Sequence, residues 1–192
     1  HCWEWSDMNK DQKRDRLREI VGEKSLLRGE HFALASGTTS TYYFNMKPTT
    51  FDPEGATLIA DLILEALDPF DIQTVGGLEM GAVPIASGIS LRSFGRNRPL
   101  QGFFVRKEAK EHGTQARIEP PLPPGTRVAI VEDVTTTGAS ALRAAEALRT
   151  NGCEVIVVVT LVDRLEGAAS EFAKQKLPFI ALFTADEFTL ED

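Results

Sequence analysis

Nine residues, Glu132 to Ser140 (EDVTTTGAS), bring together adjacent carboxylates, three consecutive threonines, a glycine and a serine. Those types suit a phosphorylated sugar. Carboxylates accept hydrogen bonds from vicinal hydroxyls, directly or through the shell of a magnesium ion. Threonine or serine hydroxyls and the N–H groups of a starting helix hold a phosphate dianion. Glu132 and Asp133 are therefore read as the sugar wall, and Thr135, Thr136, Thr137, Gly138, Ala139 and Ser140 as the phosphate turn. An ordinary strand-to-helix loop with a Thr or Ser N-cap uses the same hydroxyls, but it has no need of an acidic pair before them.

Four further segments carry chemistry-bearing residues. Arg106 to Thr114 (RKEAKEHGT) clusters Arg106, Lys107, Lys110 and His112 where an aromatic strand ends, and stops at Gly113. That suits a loop able to close over a polyanion and exclude water, although Lys107 and Glu111 at i, i+4 also fit a solvated helix face. After Val75, the run Gly76, Gly77, Leu78, Glu79, Met80, Gly81 leads into a helix. Its glycines permit positive φ and a backbone-lined anion site, or they solve turn geometry and nothing more. Asp163 and Arg164 close an apolar strand; the guanidinium there can stack on or fork to a planar acid, or pair with the aspartate. Tyr43 and Phe44, in Thr41 to Asn45, are either ligand-bordering or core aromatics.

These segments need a frame, and the patterning supplies one. Val128 to Val131 is wholly apolar and reads as a buried parallel strand. Strands are expected near Thr74–Val75, Gly102–Arg106, Arg127–Glu132, Glu154–Val162 and Phe179–Phe183. Helices are expected near Gly81–Leu91, Ala139–Thr150 and Glu166–Lys174, with Pro53 opening another that runs to Leu67. Such alternation means an α/β domain with a twisted, mainly parallel sheet flanked by helices. Ligands bind beyond the carboxyl ends of such strands, where the segments above fall. Ahead of the sheet, residues 9–28 have the spacing of an amphipathic helix with Leu17, Ile20, Val21 and Leu26 or Leu27 inward. Phe32–Leu34 and Tyr42–Phe44, around a Ser36–Thr41 turn, read as a hairpin in a small cap. Glu119 to Gly125 (EPPLPPG) reads as a stiff connector.

Composition narrows the function classes. The 192 residues are 42% hydrophobic and 26% charged, which suits one globular domain. A net charge of −7 and a pI near 5.1 argue against a nucleic-acid or polybasic membrane surface, so an anion site must be a local basic cluster. Cys2 and Cys153 are too few for a disulfide framework, the three histidines lack metal spacing, and a reducing cytoplasm is the default. No apolar stretch approaches the ~20 residues that span a bilayer. Residues 1–7, before Met8, read as a non-native or upstream extension, leaving 8–192 as a single domain whose residues 8–50 build the cap. Neither G-x-x-x-x-G-K-[ST] nor G-x-G-x-x-G occurs, which removes the main support for kinase-like and dinucleotide readings.

EDVTTTGAS after its apolar strand resembles the hallmark of the type I phosphoribosyltransferases, which grip the 5-phosphate of phosphoribosyl pyrophosphate (PRPP). RKEAKEHG is similar to the catalytic loop of the orotate phosphoribosyltransferases within that family. The resemblance implies the fold of that family with a small N-terminal hood. It implies an enzyme of pyrimidine biosynthesis that joins orotate to the phosphoribosyl group of PRPP, giving orotidine 5′-monophosphate and pyrophosphate. By the same resemblance Gly77, Leu78, Glu79, Met80 and Gly81 form the pyrophosphate loop, and Tyr43, Phe44, Thr136 and Arg164 contact orotate. Catalysis falls to Lys107, Lys110, His112 and Asp133, with Arg106 and Glu132 also on the donor. His112 and Lys110 are both candidates for a general acid, and their spacing does not choose between them.

Mg2+ is the implied cofactor, held mainly by PRPP with a water-mediated contact to Asp133 and no direct protein ligand. A homodimer is implied in which loop 106–114 reaches the neighbouring site, with no nucleic-acid or membrane partner. Ala35 and Met80 stand where many relatives carry lysine. Lys47, following the cap strand, is a candidate replacement, against the reading of a salt-bridged surface lysine. The rival functions are transfer to another base, such as a purine, and a non-catalytic PRPP-sensing regulator.

Overall fold

A computed structural model describes residues 8–33, 39–96, 98–108 and 117–189. Helix α1 (Lys10–Lys24) starts at a capping box, in which Asn9 Oδ1 accepts from Gln12 N at 3.0 Å and Gln12 Oε1 accepts from Asn9 N at 2.9 Å. It buries Leu17, Ile20 and Val21 and ends before Leu26. The stop has a tertiary cause. Buried Ser25 donates or accepts at Thr49 Oγ1 (2.6 Å), and its carbonyl accepts from Asn45 N (2.8 Å), so the chain turns into a hairpin. Leu26 and Leu27, expected on the helix, instead open β1 (Leu26–Ala33), which pairs antiparallel with β2 (Thr39–Phe44). The hairpin is therefore longer than the patterning suggested. Leu34 and residues 35–38 lie outside the described residues.

A single turn, α2 (Lys47–Thr50), follows and was not legible in the sequence. Helix α3 (Pro53–Leu67) begins as expected, with Asp52 Oδ1 accepting from Glu54 N (3.0 Å) and Gly55 N (2.8 Å).

The main sheet comprises β3 (Thr74–Leu78), β4 (Gln101–Val105), β5 (Ile118–Glu119), β6 (Arg127–Thr135), β7 (Glu154–Asp163) and β8 (Phe179–Thr184). Its order is β5-β4-β3-β6-β7-β8, parallel except for the short antiparallel edge strand β5, which the sequence reading had absorbed into a connector. Helices α4 (Ala82–Phe94), α5 (Ala139–Thr150), α6 (Ala168–Lys174) and α7 (Asp186–Thr189) complete the chain. Alternation along β6 builds two cores. Ala129 and Val131 pack with Leu58, Ile63, Val75 and Ile85 on one face, whereas Val128 and Ile130 pack with Ala144, Leu148 and Phe172 on the other.

One feature of this topology positions the site. From β3 the chain moves outward to β4, and from β6 it moves the opposite way to β7 and β8. Pairing between β3 and β6 ends at Gly76 and Ile130, so beyond that point the two strands part and leave a crevice at their carboxyl ends.

Candidate active site

Two expected boundaries shift where chain meets crevice. β6 does not stop at Glu132 but runs to Thr135, because Val134 and Thr135 remain paired with Val162 and Asp163 of β7. The acidic pair thus sits on a strand held from one side only. Glu132 is 7% exposed, and its Oε2 has no hydrogen-bond partner among the described residues. Asp133 is half-buried, with Oδ1 accepting from Val134 N at 2.9 Å. Burial pushes the Glu132 carboxyl well above its ordinary range, and neighbouring Asp133 adds to this against the opposing field of Lys107. Burial also raises Asp133, opposed by backbone N–H groups and by Lys47 and Lys107. Such a pair gains stability from an added cation or from hydroxyl donors.

β3 likewise runs further than expected, so Gly76 and Gly77 lie inside the strand and not in a turn. Neither takes positive φ; among the described residues the glycines with positive φ are Gly125, Gly138, Gly152 and Gly167. What they permit is close approach. A Cβ on Gly76 would lie 2.1 Å from Phe103 O, and one on Gly77 would lie 2.3 Å from Val131 O. The loop proper is Glu79 to Gly81, with a cis peptide between Glu79 and Met80. Its ends are tied down: Glu79 N donates to Val105 O (2.9 Å), and Glu79 Oε1 accepts from Lys107 N (2.9 Å). Gly81 caps α4 directly against Asp133, and Met80 is 59% exposed.

The turn after β6 is Thr136, Thr137 and Gly138. Thr135 itself is buried in the strand, its Oγ1 without a hydrogen-bond partner among the described residues. Gly138 adopts φ +82 beneath Phe172, and α5 starts with no side chain capping it. Its first N–H groups are therefore available to an anion, with Ala139 and Ser140 exposed beside them.

Of the basic segment, Arg106 and Lys107 are described, whereas Lys110 and His112 lie outside the described residues. Arg106 Nη1 pairs with Glu119 at 3.4 Å and its N–H donates to Arg117 O at 2.7 Å, which makes it part of the β4–β5 edge. Lys107 is gripped by its backbone: N–H to Glu79, and C=O accepting from Arg143 Nη2 at 3.3 Å. Its side chain lines a cavity of about 390 Å³ together with Lys47, Phe51, Leu78 to Gly81, Glu132 to Val134 and Ser140. This cavity joins the acidic pair, the Glu79 loop and one end of α5, residues that lie far apart in the chain.

Three residues expected at orotate, Tyr43, Phe44 and Arg164, do not line this cavity. Phe44 is 3% exposed and packs edge-on to Tyr42 and Phe188, so it belongs to the core. Tyr43 is 39% exposed and stacks on Phe32. Arg164 is 6% exposed and forms no pair with Asp163. It pairs with Glu166 at 2.7 Å, donates to Ser40 Oγ (3.2 Å) and Tyr42 O (3.5 Å), and lies 4.5 Å from the centre of the Tyr42 ring. It fastens the hairpin to the sheet. Sequence reasoning missed Phe51 and Pro84 as cavity lining, and neither carries a local signal.

The β3–β6 crevice, with acids on one strand end and an uncapped helix start beside it, defines a class of phosphosugar-binding domain. The family model for the phosphoribosyl transferase domain matches residues 51–180. The chain is 50% identical over 185 residues to an orotate phosphoribosyltransferase of Rhodopseudomonas palustris, covering 94% of this chain and 98% of that one. It is 43% identical to the Aquifex aeolicus orotate phosphoribosyltransferase, covering 91% and 97%. The crystal structure of Mycobacterium tuberculosis orotate phosphoribosyltransferase in complex with PRPP superposes with TM-score 0.78 at 34% identity, covering 93% and 99%. The chain belongs to the phosphoribosyl transferase family and, within it, to the orotate phosphoribosyltransferases.

Proposed function

We infer that the protein transfers the phosphoribosyl group of PRPP to orotate, producing orotidine 5′-monophosphate and pyrophosphate in pyrimidine biosynthesis. The observation that carries this reading is the cavity in which Glu132 and Asp133, the Glu79–Gly81 loop, Lys107 and the start of α5 meet at the β3–β6 crevice.

As the bond from ribose C1 to pyrophosphate breaks, positive charge grows on the sugar and negative charge on the leaving group. The barrier therefore falls where fixed cations face the leaving group and water is excluded. Lys107, anchored at both backbone ends, is held to meet the pyrophosphate, with Lys110 and His112 as further donors and one of those two as general acid. Asp133 and Glu132 accept the ribose hydroxyls and hold the ring, and Thr136, Thr137, Gly138 and Ser140 bind the 5-phosphate. Mg2+ fits the residues present, since the acidic pair is held with raised carboxyl affinities and an unpartnered Glu132 oxygen. Asp133 would hold it beside the donor, and it would supply charge neutralisation of the leaving group.

Thr136 and Arg164 directly follow the paired residues Thr135 and Asp163, and Arg164 N donates to Thr135 O at 2.9 Å, so both leave the sheet at one rim beside the hairpin. That rim is assigned to orotate, with Tyr43 as its half-exposed aromatic. Orientation, more than bond making, is what these residues supply. The active unit is a homodimer with loop 106–114 serving the partner's site, working in the cytoplasm. Among the described residues, no helix is long and apolar enough to cross a membrane.

The test is direct. Loss of orotate absorbance is followed with magnesium and PRPP, with adenine, hypoxanthine and uracil in parallel. Orotate alone should turn over, and turnover of a purine in its place would overturn the assignment. For the shared site, mixing Lys110→Ala with Asp133→Ala subunits should restore activity, and mixtures as inactive as the parents would exclude it.

A further inference from the structure

The reaction as derived leaves one cation of the cavity without a task. Lys47 lines the same cavity as Glu79, Met80, Lys107 and Asp133, and it comes from a separate element, the turn α2. This turn is firmly held. Met46 before it and Thr49 within it are buried, Ser25 and Thr49 share a 2.6 Å hydrogen bond, and the Lys47 carbonyl accepts from Phe51 N at 3.0 Å. Gly55 lets α3 approach so closely that a Cβ there would lie 2.5 Å from Thr49 O.

The sequence alone favoured a salt-bridged surface lysine, and the structure shows no such pair among the described residues. The carboxylates nearest in the chain are engaged by others, Asp52 by Lys24 and Glu54 by Arg16. Among the described residues Lys47 makes no ion pair. Its charge is nonetheless felt in the cavity, where it acts with Lys107 on the Asp133 carboxyl. The cavity walls carry three carboxylates, Glu79, Glu132 and Asp133, against two ammonium groups, Lys47 and Lys107. A polyanion entering such a space depends on every cation present. Met80, exposed on the same wall, offers none.

We propose that Lys47 is a donor-binding residue whose ammonium group pairs with the diphosphate end of PRPP, beside the Glu79–Gly81 loop. The proposal rests on the donor reading above. It assigns to α2, and not to position 80 of the pyrophosphate loop, the second cation that the leaving group requires. Because Lys47 projects from a turn anchored on buried side chains, it presents its charge without a carboxylate partner that the donor would have to displace.

Two substitutions test it, Lys47→Met and Lys47→Arg, titrated calorimetrically with PRPP and with pyrophosphate, each with magnesium. Lys47→Met should weaken both by roughly tenfold, the effect of losing one charge-assisted contact. Its KM for orotate and its melting temperature should stay as in the parent, and Lys47→Arg should recover most of the affinity. Unchanged binding by Lys47→Met would overturn the proposal, as would equal losses in both variants or a loss that tracks a lowered melting temperature. A parent protein that bound no PRPP would instead sink the donor reading itself.

Discussion

A Cβ on Gly81 would lie 2.4 Å from Asp133 Oδ1 and 2.6 Å from its Cγ, so the carboxylate fills the space that any side chain at position 81 needs. The loop after β3 and the acidic pair on β6 are thus one fitted unit. Gly81 has φ −55 and ψ −40, which alanine adopts without strain, so the glycine serves the contact and not the backbone. Gly81→Ala should fold normally yet turn Asp133 aside, lowering kcat/KM for PRPP by roughly a hundredfold, the cost of about 1 Å of misplacement. Steady-state kinetics beside a thermal melt would decide it, and full activity in a folded variant would refute the fit.

Glu79 acts through Lys107 by accepting its backbone N–H. Glu79→Ala should lower kcat/KM by roughly fivefold, consistent with ~1 kcal/mol for one hydrogen bond. Glu79→Gln keeps an acceptor and should lose less. Equal losses in the two variants would point to the carboxylate charge instead of the anchor.

The pH dependence follows from burial of Glu132. Its folded-state pKa is raised, so the folded chain keeps a proton in a range where the unfolded chain has lost it. The stability this group contributes is therefore fully present below the unfolded pKa and is lost as pH rises through the folded one. Glu132→Gln, neutral throughout, should melt above the parent at neutral pH and alongside it at acid pH, each ~1 kcal/mol being worth about 2–4 °C at this size. PRPP affinity should fall in the same variant. A lower melting temperature at neutral pH would contradict this account of the acidic wall.

Gly138 combines φ +82 with Phe172 Cζ only 2.8 Å from where a Cβ would stand. Gly138→Ala should cost about 1–2 kcal/mol for the left-handed backbone alone, with more from displacement of Phe172. Denaturant unfolding measures the loss, and inorganic phosphate binding should weaken in step. A variant as stable as the parent would show that the turn tolerates a different conformation.

Much of this was legible locally. Pro53, the apolar run of β6 and the Thr-Thr-Gly turn are each decided within a few residues, where turn chemistry and periodicity act. Element ends were less legible because neighbours set them. β3 reaches Leu78 because β4 pairs with it to Val105, and β6 reaches Thr135 because β7 pairs with it to Asp163. The short β5 exists only as an edge to β4.

Residue types and their order thus established an α/β domain carrying an acidic pair, a phosphate turn and a basic segment, since those signals lie within single stretches of chain. Tertiary structure alone decided that Gly76 and Gly77 serve strand contact, that Arg164 fastens the hairpin, that Phe44 joins the core and that Lys47 lines one cavity with Asp133. Each of those facts depends on what a distant segment places alongside, and no local pattern encodes the identity of a neighbour brought there by the sheet.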